Sequence, residues 1–163
     1  QMCIRDRLRR NLPTKDLVDM VQTHASGKVE VDELSWCNRK KVNEVKQSRS
    51  EKTYTIRFRA EGIDDEKKAE EAILSLSGQI IDQETPRRVS HRRAAKTRRR
   101  KVTSIDSVSF EGDEIELTLR CEAGTYVKEL VHSDEGRTKP SVREVLDADC
   151  EVIWLDVLEI HDD

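Results

Sequence analysis

Two runs of strict alternation restrict this chain to folds that contain a sheet covered on one face. From Lys52 to Ala60, Tyr54, Ile56 and Phe58 point one way, while Arg57 and Arg59 point the other. From Glu114 to Cys121, Ile115, Leu117 and Leu119 repeat the same period. A period of two sends successive side chains to opposite faces, so each run buries one face and solvates the other. An extended stretch from Thr97 to Phe110 precedes the second run across the turn Glu111-Gly112-Asp113, which predicts a hairpin. Further strands are predicted over Lys28–Leu34, with Val29 and Val31 on one side, over Gln79–Asp82, and over the apolar-rich Glu151–Ile160.

Helical spacing appears between these runs. Thr14 can cap a helix over Lys15–His24 that Gly27 ends, with Leu17, Val18 and Val21 on one face. Val42 and Val45 predict a short helix over Asn38–Gln47. Asp64 or Asp65 opens a helix to Leu76 with Ala69, Ala72, Ile73 and Leu76 as its stripe, stopped by Gly78. Gly124 breaks the Glu114 strand, and a helix starts over Thr125–Val131. Asp134–Lys139 reads as a polar loop. Ser141 and Glu144 form a capping box for a helix carrying Val142, Val145 and Leu146. The predicted class is α+β: a mostly antiparallel, mixed sheet flanked by short helices.

Charge separates this domain from an ordinary one. Charged residues make up 39% of the chain against 35% hydrophobic and 4% aromatic, so Val, Ile and Leu must build the core. The net charge of −3 hides a run from Arg87 to Lys101 that holds nine Lys or Arg and no acid. A concentrated basic stripe on an acidic body is the footprint of an anionic partner. Arg87, Arg88, His91, Arg92, Arg93, Lys96, Arg98, Arg99, Arg100 and Lys101 are therefore candidate RNA-binding residues: charge alone does not distinguish RNA from DNA, and a charge run is usually a solvated face, but the absence of an interleaved acid favours a nucleic-acid partner here. The cysteines Cys3, Cys37, Cys121 and Cys150 form no C-x-x-C pair and no histidine stands at ligand spacing, so neither a metal site nor a disulfide framework is predicted. No apolar run reaches membrane length and no secretory segment is present, which predicts a soluble, cytoplasmic protein.

Gly124-Thr125-Tyr126-Val127-Lys128-Glu129-Leu130 joins a strand end to a helix start. Such a turn can present Tyr126 to stack on a splayed base and Lys128 to pair with a catalytic carboxylate. On spacing alone, a core tyrosine and a surface lysine are the favoured reading, and Tyr54 likewise reads as a core or edge tyrosine.

Four strings, T-P-R-R-V-S-H-R-R, R-C-E-A-G-T-Y-V-K-E-L-V-H, D-E-G-R-T-K-P-S-V and L-D-V at Leu155–Val157, stand in this order and at similar spacing in a known family. The chain resembles the tRNA pseudouridine synthases of archaea and eukaryotes that isomerise uridines 54 and 55 of the T-loop. The resemblance implies substrate-binding roles for Tyr54, Tyr126 and Leu130, and makes Lys128 the partner of the catalytic aspartate. It implies tRNA, through its T-arm, as partner, with no cofactor, no metal and no obligate protein partner. The family's nucleophilic aspartate lies in an R-E-D-x-D type motif upstream of the stretch matching Arg9-Arg10-Asn11-Leu12, and this chain has no such motif. The first seven residues, QMCIRDR, resemble a translated sequencing adapter. Residues 8–163 are thus expected to be the C-terminal part of a catalytic domain, inactive without its nucleophile. A non-catalytic RNA-binding domain using residues 87–101 is the alternative.

Overall fold

The computed structural model describes residues 12–27, 30–47 and 49–161. The chain divides into two compact units, Gln1–Ser48 and Arg49–Asp163. In the first unit, α1 spans Thr14–Ala25 and α2 spans Arg39–Gln47. Thr14 is the first helical residue rather than the cap: Pro13 takes that place, with its fixed φ suited to a helix start. Asn38 does cap α2, its Oδ1 accepting the Lys41 amide at 2.9 Å. Over the described part of the predicted strand Lys28–Leu34, residues 30–34, no strand forms. Lys28 and Val29 lie outside the described residues, and residues 30–38 take no regular structure. The alternation there is real, but a strand also needs a neighbour to complete its ladder, and no strand pairs with this stretch among the described residues.

The second unit holds β1 (Glu51–Ala60), α3 (Glu66–Leu74), β2 (Ile80–Gln83), β3 (Arg98–Glu111), β4 (Glu114–Cys121), α4 (Val127–His132), β5 (Thr138–Lys139), α5 (Val142–Leu146) and β6 (Cys150–His161). The strands form one six-stranded sheet in the order β5-β2-β3-β4-β1-β6, and every pairing is antiparallel. The α+β expectation therefore holds, and β5 adds a short strand where only a polar loop was expected.

Register explains the core. Tyr54, Ile56 and Phe58 on β1 stand opposite Leu119, Leu117 and Ile115 on β4. Those three stand opposite Ile105, Val108 and Phe110 on β3. All six of the β1 and β4 residues are buried, so both alternating runs lay their apolar sides on one face. Helix α5 contacts both α3 and α4, which makes the helices one layer, and it covers this face with Ile73, Leu130, Val131 and Val142. The other face is polar: Arg57 pairs with Glu116 at 2.9 Å and Arg59 with Asp113 at 2.8 Å. Arg57 also lies 5.9 Å from the Trp154 ring centre.

The predicted helix ends follow local chemistry. Asp65 caps α3, accepting the Lys68 amide at 3.1 Å, and Ser141 caps α5, accepting the Glu144 amide at 3.2 Å.

Candidate active site

A cleft of about 330 Å³ opens where β1 and β6 meet the start of α4, lined by Tyr54, Arg88, Thr125, Tyr126, Val127, Lys128 and Leu155. The elements that form it come from distant parts of the chain. Tyr54 lies on β1 and Leu155 on β6, and the β4–α4 turn supplies Thr125 to Lys128. Gly124 makes that turn with a φ of +79°, a conformation side chains rarely adopt. A Cβ there would stand 3.6 Å from the Arg100 guanidinium, which tucks beneath the turn.

Both tyrosines thus converge on one cavity, and Lys128 joins them. Tyr54 is 8% exposed, and burial lifts its phenol above the usual value, with Cys121 adding to the effect. Neither phenol hydroxyl bonds to a described protein group, and neither oxygen is sealed from solvent. Lys128 is exposed and pairs with no carboxylate among the described residues. Leu130 departs from expectation. It is 1% exposed and lies in the core rather than among the lining residues, because its amide bonds to the Tyr126 carbonyl one helical turn back and its side chain faces the sheet. The apolar lining comes instead from Val127 and Leu155.

The basic stripe is not one uniform surface. No acid interrupts it in sequence, yet the fold brings three: Arg87 pairs with Glu135, Arg88 with Glu129 and Arg99 with Asp82. Arg88 forms a fork on Glu129, Nε to Oε1 at 2.6 Å and Nη2 to Oε2 at 3.2 Å. That carboxylate raises the Arg88 pKa above its ordinary value. Arg88 and Arg98 approach the Tyr126 ring centre at 5.9 and 6.0 Å, so two guanidiniums flank the tyrosine. Arg92, Arg93 and Lys96 are exposed, along with His91, and meet no acid among the described residues. Lys101, on the strand beyond the loop, is exposed; its amide donates to Glu122 Oε2 at 3.1 Å, and its side chain meets no acid among the described residues.

Thr85, 4% exposed, closes the base of this loop. Its hydroxyl donates to the Ala94 carbonyl at 2.7 Å and accepts from the Lys96 amide at 3.1 Å and from Arg98 Nη1 at 3.0 Å. The D-E-G-R string braces the other side. Ser133, Asp134, Glu135 and Gly136 all have positive φ, of 69°, 51°, 58° and 83°. Each left-handed non-glycine residue costs about 1–2 kcal/mol. The turn is held by what it reaches: Asp134 Oδ2 accepts the Arg87 amide at 3.0 Å, and Arg137 pairs with Glu84 at 2.9 Å.

The family described as "Pus10, C-terminal" matches residues 3–161. The chain belongs to it. Curated relatives of this Pus10 C-terminal chain include the tRNA pseudouridine synthase Pus10 of Methanothrix thermoacetophila, 43% identical over 93% of this chain and 33% of the relative. That of Thermofilum pendens is 38% identical over 94% of this chain and 35% of the relative. The chain spans about a third of the length of these relatives. Among solved structures, a Cbf5-Nop10-Gar1 complex contains a chain with the same fold, at a TM-score of 0.62 and 20% identity, covering 93% of this chain and 47% of that one. An H/ACA RNP bound to a substrate RNA containing 2'-deoxyuridine gives a TM-score of 0.55 at 17% identity, covering 93% and 46%.

Two residues of this Pus10 C-terminal fold escaped sequence reasoning. Glu129 looks like a solvated helix residue, yet it is 1% exposed under Arg88. Gln83 sits in a weak four-residue strand and is wholly buried. Among the described residues, no cysteine lines the cleft. Burial pushes the Cys121 and Cys150 thiols up to about 12, whereas Cys37 is exposed. Among the described cysteines, iodoacetamide at mildly alkaline pH is expected to label Cys37 first. Mass spectrometry showing equal rates at Cys121 would contradict the burial.

Proposed function

We propose that this chain carries the base-binding half of a tRNA pseudouridine synthase active site, an isomerase acting on uridine 54, uridine 55 or both in the T-loop of tRNA. The observation that supports it most is the convergence of Tyr54, Tyr126 and Lys128 on one cleft, with neither tyrosine hydroxyl bonded to another described residue. A domain that merely bound RNA through its stripe has no need of that convergence.

In this reading the target uridine leaves its stack and enters the cleft, where the two aromatic rings hold the uracil and Leu155 and Val127 exclude water. Lys128 places a positive charge in the cleft, suited to hold a carboxylate ionised and oriented. None of the described residues lining the cleft is an aspartate, so in this proposal the nucleophile is supplied by a residue other than these. Exchanging the glycosidic nitrogen bond for one to carbon 5 is internal to the nucleotide, so it is redox-neutral and consumes no co-reactant. The tRNA substrate places the protein in the cytoplasm in this proposal, and no described helix is long and apolar enough to cross a membrane.

A T-arm hairpin carrying 4-thiouridine at position 54 or 55 tests the reading by photo-crosslinking. Adducts are expected on the peptides containing Tyr54 and Tyr126, competed by unmodified hairpin and lost when the thiouridine is moved to the stem. Adducts confined to residues 87–101, whatever the position of the probe, would favour the plain RNA-binding domain.

A further inference from the structure

Tyr126 lines the cleft, and its main chain is held in a conformation that α4 does not itself impose. Tyr126 precedes the first helical residue, with φ −89° and ψ 90°, and no side chain caps the helix at that point. Its amide is one of the donors that a helix start leaves without an internal partner. The partner comes from β2, two strands away from β4 in the sheet. Gln83 Oε1 accepts the Tyr126 amide at 2.9 Å, and Gln83 Nε2 donates to the Tyr126 carbonyl at 3.0 Å. One side-chain amide therefore makes the two-bond exchange that a neighbouring strand residue would make. The Tyr126 carbonyl also accepts the Leu130 amide at 3.0 Å, so both of its lone pairs are used.

We propose that Gln83 is a positioning residue for Tyr126, fixing the aromatic ring in the cleft through the main chain. Three observations carry it. Gln83 is 0% exposed, and burying an amide is tolerated only when its groups are bonded. Its second donor contact, to Thr138 Oγ1, is longer at 3.4 Å, so the tight bonds are those to Tyr126. Gln83 also stands opposite Arg98 on β3 and Thr138 on β5, so the residue that grips the Tyr126 main chain is paired with the one whose guanidinium flanks the Tyr126 ring. Gln83 has no side-chain hydrogen bond to any other described residue. The value of this clamp for catalysis rests on the reading of the cleft as a uridine site.

The chain has only two tyrosines, Tyr54 and Tyr126, so 3-fluorotyrosine labelling gives two fluorine resonances, assigned with Tyr126→Phe. In the free 163-residue chain, Gln83→Leu is expected to move or broaden the Tyr126 line and leave the Tyr54 line within its width. Thr138→Val, which removes only the long third contact, is expected to leave both lines in place. A Tyr126 line unmoved by Gln83→Leu overturns the proposal. Should Gln83→Leu fail to fold, hydrogen exchange in the unaltered chain decides: a Tyr126 amide protected well beyond that of Gly124 supports the clamp, and equal exchange at the two overturns it. Adding the T-arm hairpin then separates this inference from the functional one. If the Gln83→Leu result holds but the hairpin moves neither tyrosine line, the clamp stands and the uridine-site reading falls.

Discussion

Replacing Arg88 with alanine is expected to destabilise the domain by about 3 kcal/mol, the range seen when one partner of a buried ion pair is removed. The asymmetry of the pair sets that size. The Glu129 side chain is 2% exposed whereas that of Arg88 is 52% exposed, so the truncation strands a carboxylate while the cation itself loses little. The space vacated by a half-exposed arginine admits water, which holds the loss near the lower end of that range. Glu129→Gln keeps hydrogen-bonding capacity and removes the charge, so its cost is expected to be about 1 kcal/mol. The double replacement of Arg88 and Glu129 by leucine is expected to cost less than Arg88→Ala alone. Urea midpoints at constant m-value give all three numbers, and an Arg88→Ala midpoint equal to that of the unaltered protein would refute the stranded charge.

The second large effect concerns RNA. Changing Arg92, Arg93 and Lys96 together to alanine is expected to lower affinity for a T-arm hairpin about 100-fold near physiological salt and to reduce the slope of log K against log salt by about 2–3. These three cations meet no acid among the described residues and stand exposed on one loop, so each is free to displace a counterion. Changing Arg87 and Arg99 is expected to do less, because Glu135 and Asp82 already neutralise them. Filter binding across a salt series measures both variants. An unchanged slope for the triple variant would remove the loop from the interface.

This division of the stripe was not legible in the sequence. The acids that quench Arg87, Arg88 and Arg99 lie outside the run, and only the fold brings Glu135, Glu129 and Asp82 to it. Where the information is local, the sequence reads well. Tyr54, Ile56, Phe58, Ile115, Leu117 and Leu119 announced their strands by period alone, and the turn at Gly112 announced the hairpin. The caps at Asp65 and Ser141 are equally local. Residues 30–34 carry the same period to no strand, because pairing is a property of two segments. In the cleft, Tyr54, Tyr126 and Lys128 came from motif resemblance. Gln83 had no such signal, since a glutamine in a strand acquires its meaning only from the backbone it meets.

In the RNA interface proposed above, Thr85 has a consequence for how quickly RNA is caught. Its hydroxyl draws together the two stems of the segment that carries Arg92 and Arg93, like a cord closing the neck of a bag. The entropy of shaping that segment is surrendered when the protein folds, so a hairpin arriving at the surface finds its cations already arrayed. Less of the electrostatic attraction is then spent on ordering, and more of it remains to hasten the encounter. Thr85→Val, which keeps the side-chain shape and cuts the cord, would show itself in the association rate before it showed itself in the fold.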